Sequence, residues 1–282
     1  MTDISCPYTK MEVNGNDFVV VEANDCKRSL TREEIQLIGN RRFGVGFDQL
    51  LIYEEIAESP NTLKLTIFND DGSEASQCGN GCIAISQLYL NHIDKRVEQL
   101  QIISASGSVT ARPSDSKNQN ISIEFPPPVL KPGPSEYSRF TEYRHKTFDR
   151  HYPAIDSMIV SIGNLHVVLI TEHVDALDVE RIGEEIQADP KFPDSVNVEF
   201  LECKSDSLGY LLVYERGVSD LTYACGTGAV AAMAAGKRNG FFCNSVEMRM
   251  VGGSVQVDWE GSDKPIYLTA VARTTHEGRF FL

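Results

Sequence analysis

The chain has 282 residues and a formal net charge of -14 at pH 7, which argues against nucleic-acid binding because such proteins need clustered Lys and Arg. Hydrophobic residues make up 41% and charged residues 23%, a globular composition, and the length favours two domains. No run approaches the roughly 18 apolar residues of a membrane span, and the first ten residues lack the layout of a secretory signal. We therefore expect a cytoplasmic protein.

Short runs of β-branched and aromatic residues, separated by Gly, Asn, Asp and Pro, predict a chain rich in strands. In chain order the predicted strands are 17–21, 50–53, 63–68, 100–103, 121–125, 158–162, 166–170, 209–214, 245–250 and 255–259. Peripheral amphipathic helices are predicted at 31–40, which opens with a Thr-x-x-Glu capping box, and at 179–188. Two more helices, 79–90 and 226–237, are apolar or small on most sides and should be buried.

The chain contains an internal repeat, because five pairs of landmarks recur in one order at offsets of 146 to 148 residues. They are Gly15-Asn16 with Gly163-Asn164, Gln49 with Asn197, Asn69 with Arg216, Cys78-Gly79-Asn80-Gly81 with Cys225-Gly226-Thr227-Gly228, and Gly107-Ser108-Val109 with Gly253-Ser254-Val255. Coincidence is the alternative, since Gly-Asn and Gly-Ser are common in turns. The steady offset favours two copies of one unit, each a sheet around a central helix. The Pro-rich stretch 126–134 is the predicted linker.

Two of the seven cysteines stand in a distinctive place. An odd number without an export signal does not suggest a structural disulfide framework, so most should be reduced thiols, and five are expected to be small buried hydrophobes. Cys78 and Cys225, however, each precede a Gly-x-Gly that opens a buried helix. The positive end of a helix can lower a thiol pKa to about 3.5 to 7.5, and exposed backbone N–H groups there bind carboxylates.

The duplication of this motif predicts a two-base reaction. One substrate would be clamped between two helix N-termini, with a sulfur on each face of its α-carbon. One thiolate would remove the α-proton while the opposite thiol returns one, and the helix dipoles would stabilise the carbanion and its carboxylate. This chemistry inverts a stereocentre without a cofactor.

Other interpretations of the same residues are weaker. Neither Gly-x-Gly continues into a phosphate-binding loop or a dinucleotide motif. Metal binding is not expected, because Cys78 and Cys82 lack a second pair and the histidines are scattered, while 69–72 begins like a calcium loop but lacks the rest. A cysteine hydrolase would need one Cys with a His partner and would leave the second motif unexplained.

At these motifs the sequence resembles the diaminopimelate epimerase family, and the likeness runs from 15 to 253. The stretches that carry it are 15–18, 46–51, 68–69, 71–74, 77–81, 163–164 with His166, 213–217 and 224–228. The resemblance implies an isomerase free of pyridoxal and metal that interconverts LL- and meso-diaminopimelate in bacterial lysine and peptidoglycan-precursor synthesis. It also implies an α+β fold of two pseudo-symmetric domains, each a β-barrel-like sheet around a central helix. We expect these at 1–126, completed by 273–282, and at 127–272.

The resemblance also assigns roles to residues of this chain. It makes Cys78 and Cys225 the acid/base pair, and homodimers are common in the family. It places Gly79, Asn80, Gly226 and Thr227 at the reacting carboxylate of the substrate. It places around the rest of the substrate Asn16, Asn69, Asn164, Asn197, Glu215 and Arg216. Gln49 is a further candidate for substrate binding. Arg216 would face the distal carboxylate, since a bidentate Arg suits it, and Glu215 would receive an ammonium. A surface salt bridge is the alternative for that pair.

Two points stay open in the sequence. His166 is either a structural hydrogen-bonder or an assistant to Glu215 near the cysteines. Relative to the family pattern, the segment from Glu215 to Cys225 contains one extra residue, in the stretch 218–221. A related racemase or epimerase acting on another amino acid is therefore an alternative. A non-catalytic amino-acid-binding protein is another, although binding alone needs neither thiol.

Overall fold

The computed structural model describes residues 5–26, 28–92, 97–114, 120–130, 156–217 and 220–282. The chain divides into two compact units, one from Met1–Ile123 with Thr269–Leu282 and the other from Glu124–Leu268. The domain limits expected from the sequence stay a prediction. Among the described residues, no helix has the length and apolar character that crossing a membrane requires.

The first unit is built mainly of strands. Its elements are β1 (Ser5–Val13), β2 (Asn16–Glu22), α1 (Arg32–Gly39), β3 (Gln49–Glu55), β4 (Thr62–Asn69), β5 (Glu74–Ala75), α2 (Gly79–His92), β6 (Leu100–Ser104), β7 (Gly107–Pro113) and β17 (Arg273–Phe281), with β8 (Ile121–Phe125) at its limit. The pairs β1–β2, β3–β4, β4–β5 and β6–β7 are antiparallel, whereas β2–β3 and β4–β6 are parallel. The last strand, β17, pairs antiparallel with β1.

The second unit repeats this order. Its elements are β9 (Asp156–Ser161), β10 (Leu165–Thr171), α3 (Val179–Gln187), β11 (Asn197–Ser205), β12 (Leu208–Glu215), β13 (Asp220–Thr222), α4 (Gly226–Arg238), β14 (Ser245–Met250) and β15 (Gly253–Trp259), with β16 (Ile266–Ala270) at its limit. The pairs β9–β10, β11–β12, β12–β13 and β14–β15 are antiparallel, and β10–β11 and β12–β14 are parallel. Strands β9 to β15 thus match β1 to β7 one for one, which confirms the predicted pseudo-symmetric α+β fold.

The first repeated landmark is a hairpin turn. Val13 pairs with Asn16 across a two-residue loop, Asn14-Gly15, whose φ angles are 50° and 85°. Two positive φ angles define the turn that matches the twist of antiparallel strands, and Asn-Gly is the preferred sequence for it. The turn therefore fixes Asn16 as the first residue of β2.

Each unit has the expected buried central helix. Helix α2 packs against β1, β2, β3 and β7, and α4 packs against β9 to β12 and β15. All residues of α4 from 226 to 236 are buried, which explains its small side chains, since strands contact it on several sides.

The two outer helices are amphipathic as predicted. Thr31 caps α1 by accepting from the Glu34 backbone N–H at 3.3 Å, and Glu34 accepts from the Thr31 N–H at 2.8 Å, which completes the capping box. Ile35 and Ile38 face the core of the first unit. Helix α3 likewise buries its isoleucines against β11 and β12.

The cysteines differ from expectation at several positions. Cys6 on β1 and Cys26 form a disulfide with their Cα atoms 5.2 Å apart, because the pairing of β1 with β2 brings together residues 20 apart in sequence. Cys82 is buried as expected, but Cys203 is half-buried and Cys243 is exposed. Most of the predicted linker, from 131 onward, lies outside the described residues.

The sequence prediction missed seven strands of the described residues. They are β1, β5, β7, β11, β13, β16 and β17. Strand β17 carries mostly exposed polar residues, and β11 carries two glutamates, so neither shows a clean alternation of apolar and polar positions. Pairing with β1 holds β17 extended, and pairing with β10 and β12 holds β11 extended, where the local pattern alone does not predict a strand.

Candidate active site

Both predicted acid/base cysteines place their sulfur over the first turn of a central helix. Cys78 Sγ accepts from the Gly81 backbone N–H at 3.2 Å, and Cys225 Sγ accepts from the Gly228 N–H at 3.4 Å. Each thiol therefore occupies the position of a helix cap. Cys78 is half-buried and Cys225 is 6% exposed.

In the first unit, side-chain amides meet at this helix start. Asn80 Nδ2 donates to Asn16 Oδ1 at 3.4 Å, and Asn16 Nδ2 donates to Asp48 Oδ2 at 2.9 Å. Gln49 and Asn69 face each other across β3 and β4, where Gln49 Nε2 donates to Asn69 Oδ1 at 3.1 Å. The structure thus joins the candidates Asn16 and Asn80 in one network and Gln49 and Asn69 in another.

A charged network that the sequence did not suggest supports Asn16. Asp17 forms ion pairs with Lys10 at 2.6 Å and with Arg41 at 2.8 Å, and Arg41 also contacts Asp48 at 2.7 Å. Burial raises the Asp17 pKa, but hydrogen bonds from Arg41 and Lys10 outweigh it and hold the pKa well below its usual value. Asp48 is thereby held in place as the acceptor for the Asn16 amide.

In the second unit, a chain of polar contacts leads to Cys225. Asn164 Nδ2 donates to Thr227 Oγ1 at 3.4 Å, and Thr227 Oγ1 lies 3.6 Å from Cys225 Sγ. Because the hydroxyl oxygen accepts from Asn164, its own hydrogen is available to the sulfur. The candidates Asn164, Thr227 and Cys225 therefore form one connected group.

His166 continues this chain into the core, where it meets a residue that the sequence did not single out. Its Nε2 lies 3.0 Å from Asn164 Oδ1, and its Nδ1 lies 2.6 Å from Glu199 Oε1. Both His166 and Glu199 have fully buried side chains. The sequence contains one signal that could have identified Glu199: it is a glutamate inside an apolar run, two residues after Asn197. Alternate residues of a strand share a face, so a strand here puts Glu199 on the same face as Asn197.

The remaining candidates lie where the end of β12, with Glu215 and Arg216, adjoins the start of β11 at Asn197. Asn197 Oδ1 accepts from the Arg216 backbone N–H at 2.9 Å, and Asn197 Nδ2 donates to the Leu165 carbonyl at 3.4 Å. The Arg216 side chain is exposed, with Nη1 3.5 Å from the Asp194 carbonyl. Part of the altered segment that follows, residues 218 and 219, lies outside the described residues.

The expected low thiol pKa is wrong for Cys225. Burial raises its pKa well above the usual value, and the negative charge of Glu215 raises it further. The hydrogen bonds from Thr227 and from the Gly228 N–H lower it, but not enough to compensate. Because the Cys225 sulfur is buried, desolvation has a larger effect on its pKa than the helix terminus has.

Metal ligands are not clustered in the parts of the chain that the structure describes, where no group of three or more His, Cys, Asp or Glu side chains could hold an ion.

Glycines 79 and 226 open the two helices, and both are buried. Their backbone N–H groups belong to the first turns that the sulfurs cap. The candidate residues of the two units, each unit taken by itself, are thiols, amides, hydroxyls and a few charged groups.

Comparison with known proteins identifies a family for the whole chain. A family model described as diaminopimelate epimerase matches residues 8–129 and 158–275. The diaminopimelate epimerase of Nitrosomonas eutropha is 37% identical over 279 residues, which cover 96% of this chain and 97% of that protein. That of Laribacter hongkongensis is 33% identical over 279 residues, covering 98% and 99%.

Solved structures share the fold at low sequence identity. A hydroxyproline epimerase from Agrobacterium vitis has a TM-score of 0.69 at 12% identity and covers 99% of this chain and 93% of its own. A methylitaconate-delta-isomerase has a TM-score of 0.67 at 13% identity, covering 100% and 96%. At such identities the likeness concerns the fold alone.

Proposed function

Since the chain belongs to the diaminopimelate epimerase family and is an isomerase of amino-acid biosynthesis, we propose that Cys78 and Cys225 are its acid/base pair in converting LL- to meso-diaminopimelate. The observation that carries this proposal is the duplicated arrangement in which a thiol accepts a backbone N–H of the first turn of a central helix. The same arrangement occurs once in each unit, and the residues around it are amides and hydroxyls that can bind an amino acid.

The proposed reaction moves only protons. One cysteine, as thiolate, takes the α-proton of the substrate, and the electron pair stays on the α-carbon and its carboxylate. The other cysteine, as thiol, gives its proton to the opposite face of that carbon and becomes the thiolate. Partial positive charge at the two helix starts stabilises the negative charge that develops. One proton leaves the α-carbon and one returns, so the step balances without an oxidant or a reductant.

We assign the binding roles by position. The N–H groups at Gly79 and Gly226, with Asn80 and Thr227, lie at the helix starts and suit the reacting carboxylate. The other proposed substrate contacts are Asn16, Gln49, Asn69, Asn164, Asn197, Glu215 and Arg216. The exposed guanidinium of Arg216 suits a second carboxylate, and Glu215 suits an ammonium group. His166 is proposed to support the reaction through Asn164.

The decisive experiment follows α-proton exchange and epimerisation of LL-diaminopimelate in heavy water. We expect Cys78→Ala and Cys225→Ala each to abolish epimerisation while the circular dichroism spectrum stays that of wild type. Cys82→Ala and Cys243→Ser are the matched controls, because Cys82 is buried and Cys243 is exposed, and neither caps a central helix. Substantial turnover in either active-site variant would contradict the two-base proposal.

The substrate is tested separately from the chemistry. A panel of amino acids in the same exchange assay distinguishes a diaminopimelate enzyme from a racemase or epimerase of other specificity, an alternative that the extra residue in 218–221 motivates. A binding protein without activity would show equal ligand affinity in wild type and Cys78→Ser, with exchange in neither. We expect exchange with diaminopimelate and far less with the other amino acids.

We also propose that the protein is cytoplasmic and forms a homodimer, as is common in the resembled family. Light scattering on the purified protein is expected to give twice the mass of the 31.3 kDa chain. A mass equal to one chain at micromolar concentration would rule out a stable homodimer. Cell fractionation tests the location.

A further inference from the structure

The two units differ in the residues packed beside their catalytic helices. Phe18 pairs with Gln49 in the first unit, and His166 pairs with Asn197 at the matching place in the second. Two residues further along β3 and β11, the first unit has Leu51 where the second has Glu199. A buried polar pair thus replaces a buried apolar pair.

Glu199 lies directly against the first turn of α4. A methyl group added to Gly228 would meet Glu199 Oε1 at 3.0 Å, and in the first unit one added to Gly81 would meet Leu51 Cδ2 at 3.1 Å. Gly228 is also the residue whose N–H donates to Cys225 Sγ. The carboxyl group therefore occupies the position of an apolar side chain next to a reacting sulfur.

Hydrogen-bond geometry determines where the protons lie. Asn164 Nδ2 donates to Thr227, so Asn164 Oδ1 is the acceptor that faces His166 Nε2 at 3.0 Å. Nε2 must then carry a hydrogen. In a neutral ring Nδ1 is left as an acceptor, and it faces Glu199 Oε1 at 2.6 Å.

The surroundings of Glu199 favour its protonated form. Its Oε2 is buried and has no hydrogen-bond partner among the described residues. Within the same residues, its one ion-pair partner is His166. An ionised carboxylate in the core is destabilised when one of its oxygens accepts no hydrogen bond, whereas a carboxylic acid needs fewer hydrogen-bond partners. Burial also raises the pKa of Glu199, and His166 opposes this only in part.

We propose that Glu199 is a positioning residue of the reaction proposed above: its protonated carboxyl group donates a hydrogen bond to His166 Nδ1 and fixes the ring with the hydrogen on Nε2. The fixed ring then holds the Asn164 amide in one orientation, Asn164 donates to Thr227, and the Thr227 hydroxyl is directed at Cys225 Sγ. The neutral acid provides this alignment without placing a second negative charge beside the sulfur when Cys225 ionises. The charged group that remains near the sulfur is Glu215.

The test compares Glu199→Leu with Glu199→Gln. Leucine copies the first unit and cannot donate, so kcat should fall about 10- to 100-fold with a smaller change in KM. Glutamine donates from Nε2 in the same place and should restore kcat to within about threefold of wild type. Glu202→Gln is the control for a carboxyl-to-amide change elsewhere on the same strand, because the Glu202 carboxylate contacts Lys204 and the Val174 N–H rather than His166.

A second measurement does not depend on activity. Nitrogen NMR of labelled histidine, with the His166 signals assigned through His166→Asn, should show hydrogen on Nε2 and none on Nδ1 at neutral pH, in both wild type and Glu199→Gln. An imidazolium in wild type, or a kcat for Glu199→Gln as low as for Glu199→Leu, would overturn the proposal. A wild-type protein without exchange activity would instead refute the proposed function, and the ring tautomer would still decide the role of Glu199.

Discussion

Asn16 Nδ2 donates to Asp48 Oδ2 at 2.9 Å, and the backbone N–H of Asp17 donates to the same oxygen at 3.0 Å. The carboxylate therefore decides which end of the Asn16 amide faces Asn80. A binding residue whose orientation is fixed before the ligand arrives loses less freedom on binding.

We predict that Asp48→Ala raises KM for diaminopimelate about tenfold, because the lost hydrogen bond leaves the Asn16 amide free to rotate. Asp48→Asn keeps an acceptor oxygen and should have a smaller effect. Steady-state kinetics of both variants beside Asp263→Ala, which removes an exposed carboxylate of the other unit, provide the check. Equal KM values in wild type and Asp48→Ala would contradict an orienting role.

Acid sensitivity should follow from Asp17. Arg41 and Lys10 hold its folded pKa below the unfolded value, so its contribution to stability is present above that unfolded value and is lost as pH falls toward the folded pKa. Asp17→Asn should lower the free energy of unfolding by about 2–4 kcal/mol at neutral pH, partly because Lys10 is left buried without its partner. The deficit should shrink below about pH 4. Urea titrations at several pH values measure it, and a deficit independent of pH would be the contrary result.

Turnover should rise with pH through the neutral range. Burial and the charge of Glu215 raise the pKa of Cys225, so its thiolate is a minor species near neutrality. Because the pKa of Cys225 is raised, its thiolate fraction is still increasing as pH rises above neutrality. We therefore expect kcat/KM for the stereoisomer that needs Cys225 as base to increase between about pH 7 and about pH 9. A flat profile over that range would show that the thiolate already predominates.

The disulfide should make stability depend on reductant. Cys6 and Cys26 are 20 residues apart in sequence, and closing such a loop stabilises a fold by about 3 kcal/mol in the chain-entropy account. We expect reductant to lower the Tm of wild type by about 5–10 °C and to leave the Tm of Cys26→Ser unchanged. Calorimetry with and without reductant makes the comparison. Identical wild-type curves would mean that the bond does not form in solution.

The parts of the fold that could be predicted are those with a strong local signal. Helices α2 and α4 follow from runs of small and apolar residues after Gly-x-Gly, and α1 follows from its capping box. The repeat could be detected because its landmarks are turns and helix starts, where backbone geometry restricts the residue types. Strand β17 was missed because its pairing with β1 joins opposite ends of the chain, and local sequence carries no record of that.

The candidate site could likewise be predicted only where short sequence motifs identify its residues. The cysteines, Asn80 and Thr227 belong to short motifs and could be named from the sequence. Asp48 and Glu199 could not, because their roles depend on which strands are neighbours: Glu199 reaches His166 through the parallel pairing of β10 and β11. The thiol pKa of Cys225 was misjudged for a related reason, since the depth of burial is a property of the packed unit.

The Asn14-Gly15 turn constrains more than the hairpin that it closes. Successive residues of a strand point to opposite faces, so one residue gained or lost in this turn would send the Asn16 side chain to the far face of β2, away from Asp48 and Asn80. The length of this turn therefore decides whether the Asn16 side chain can reach Asp48 and Asn80.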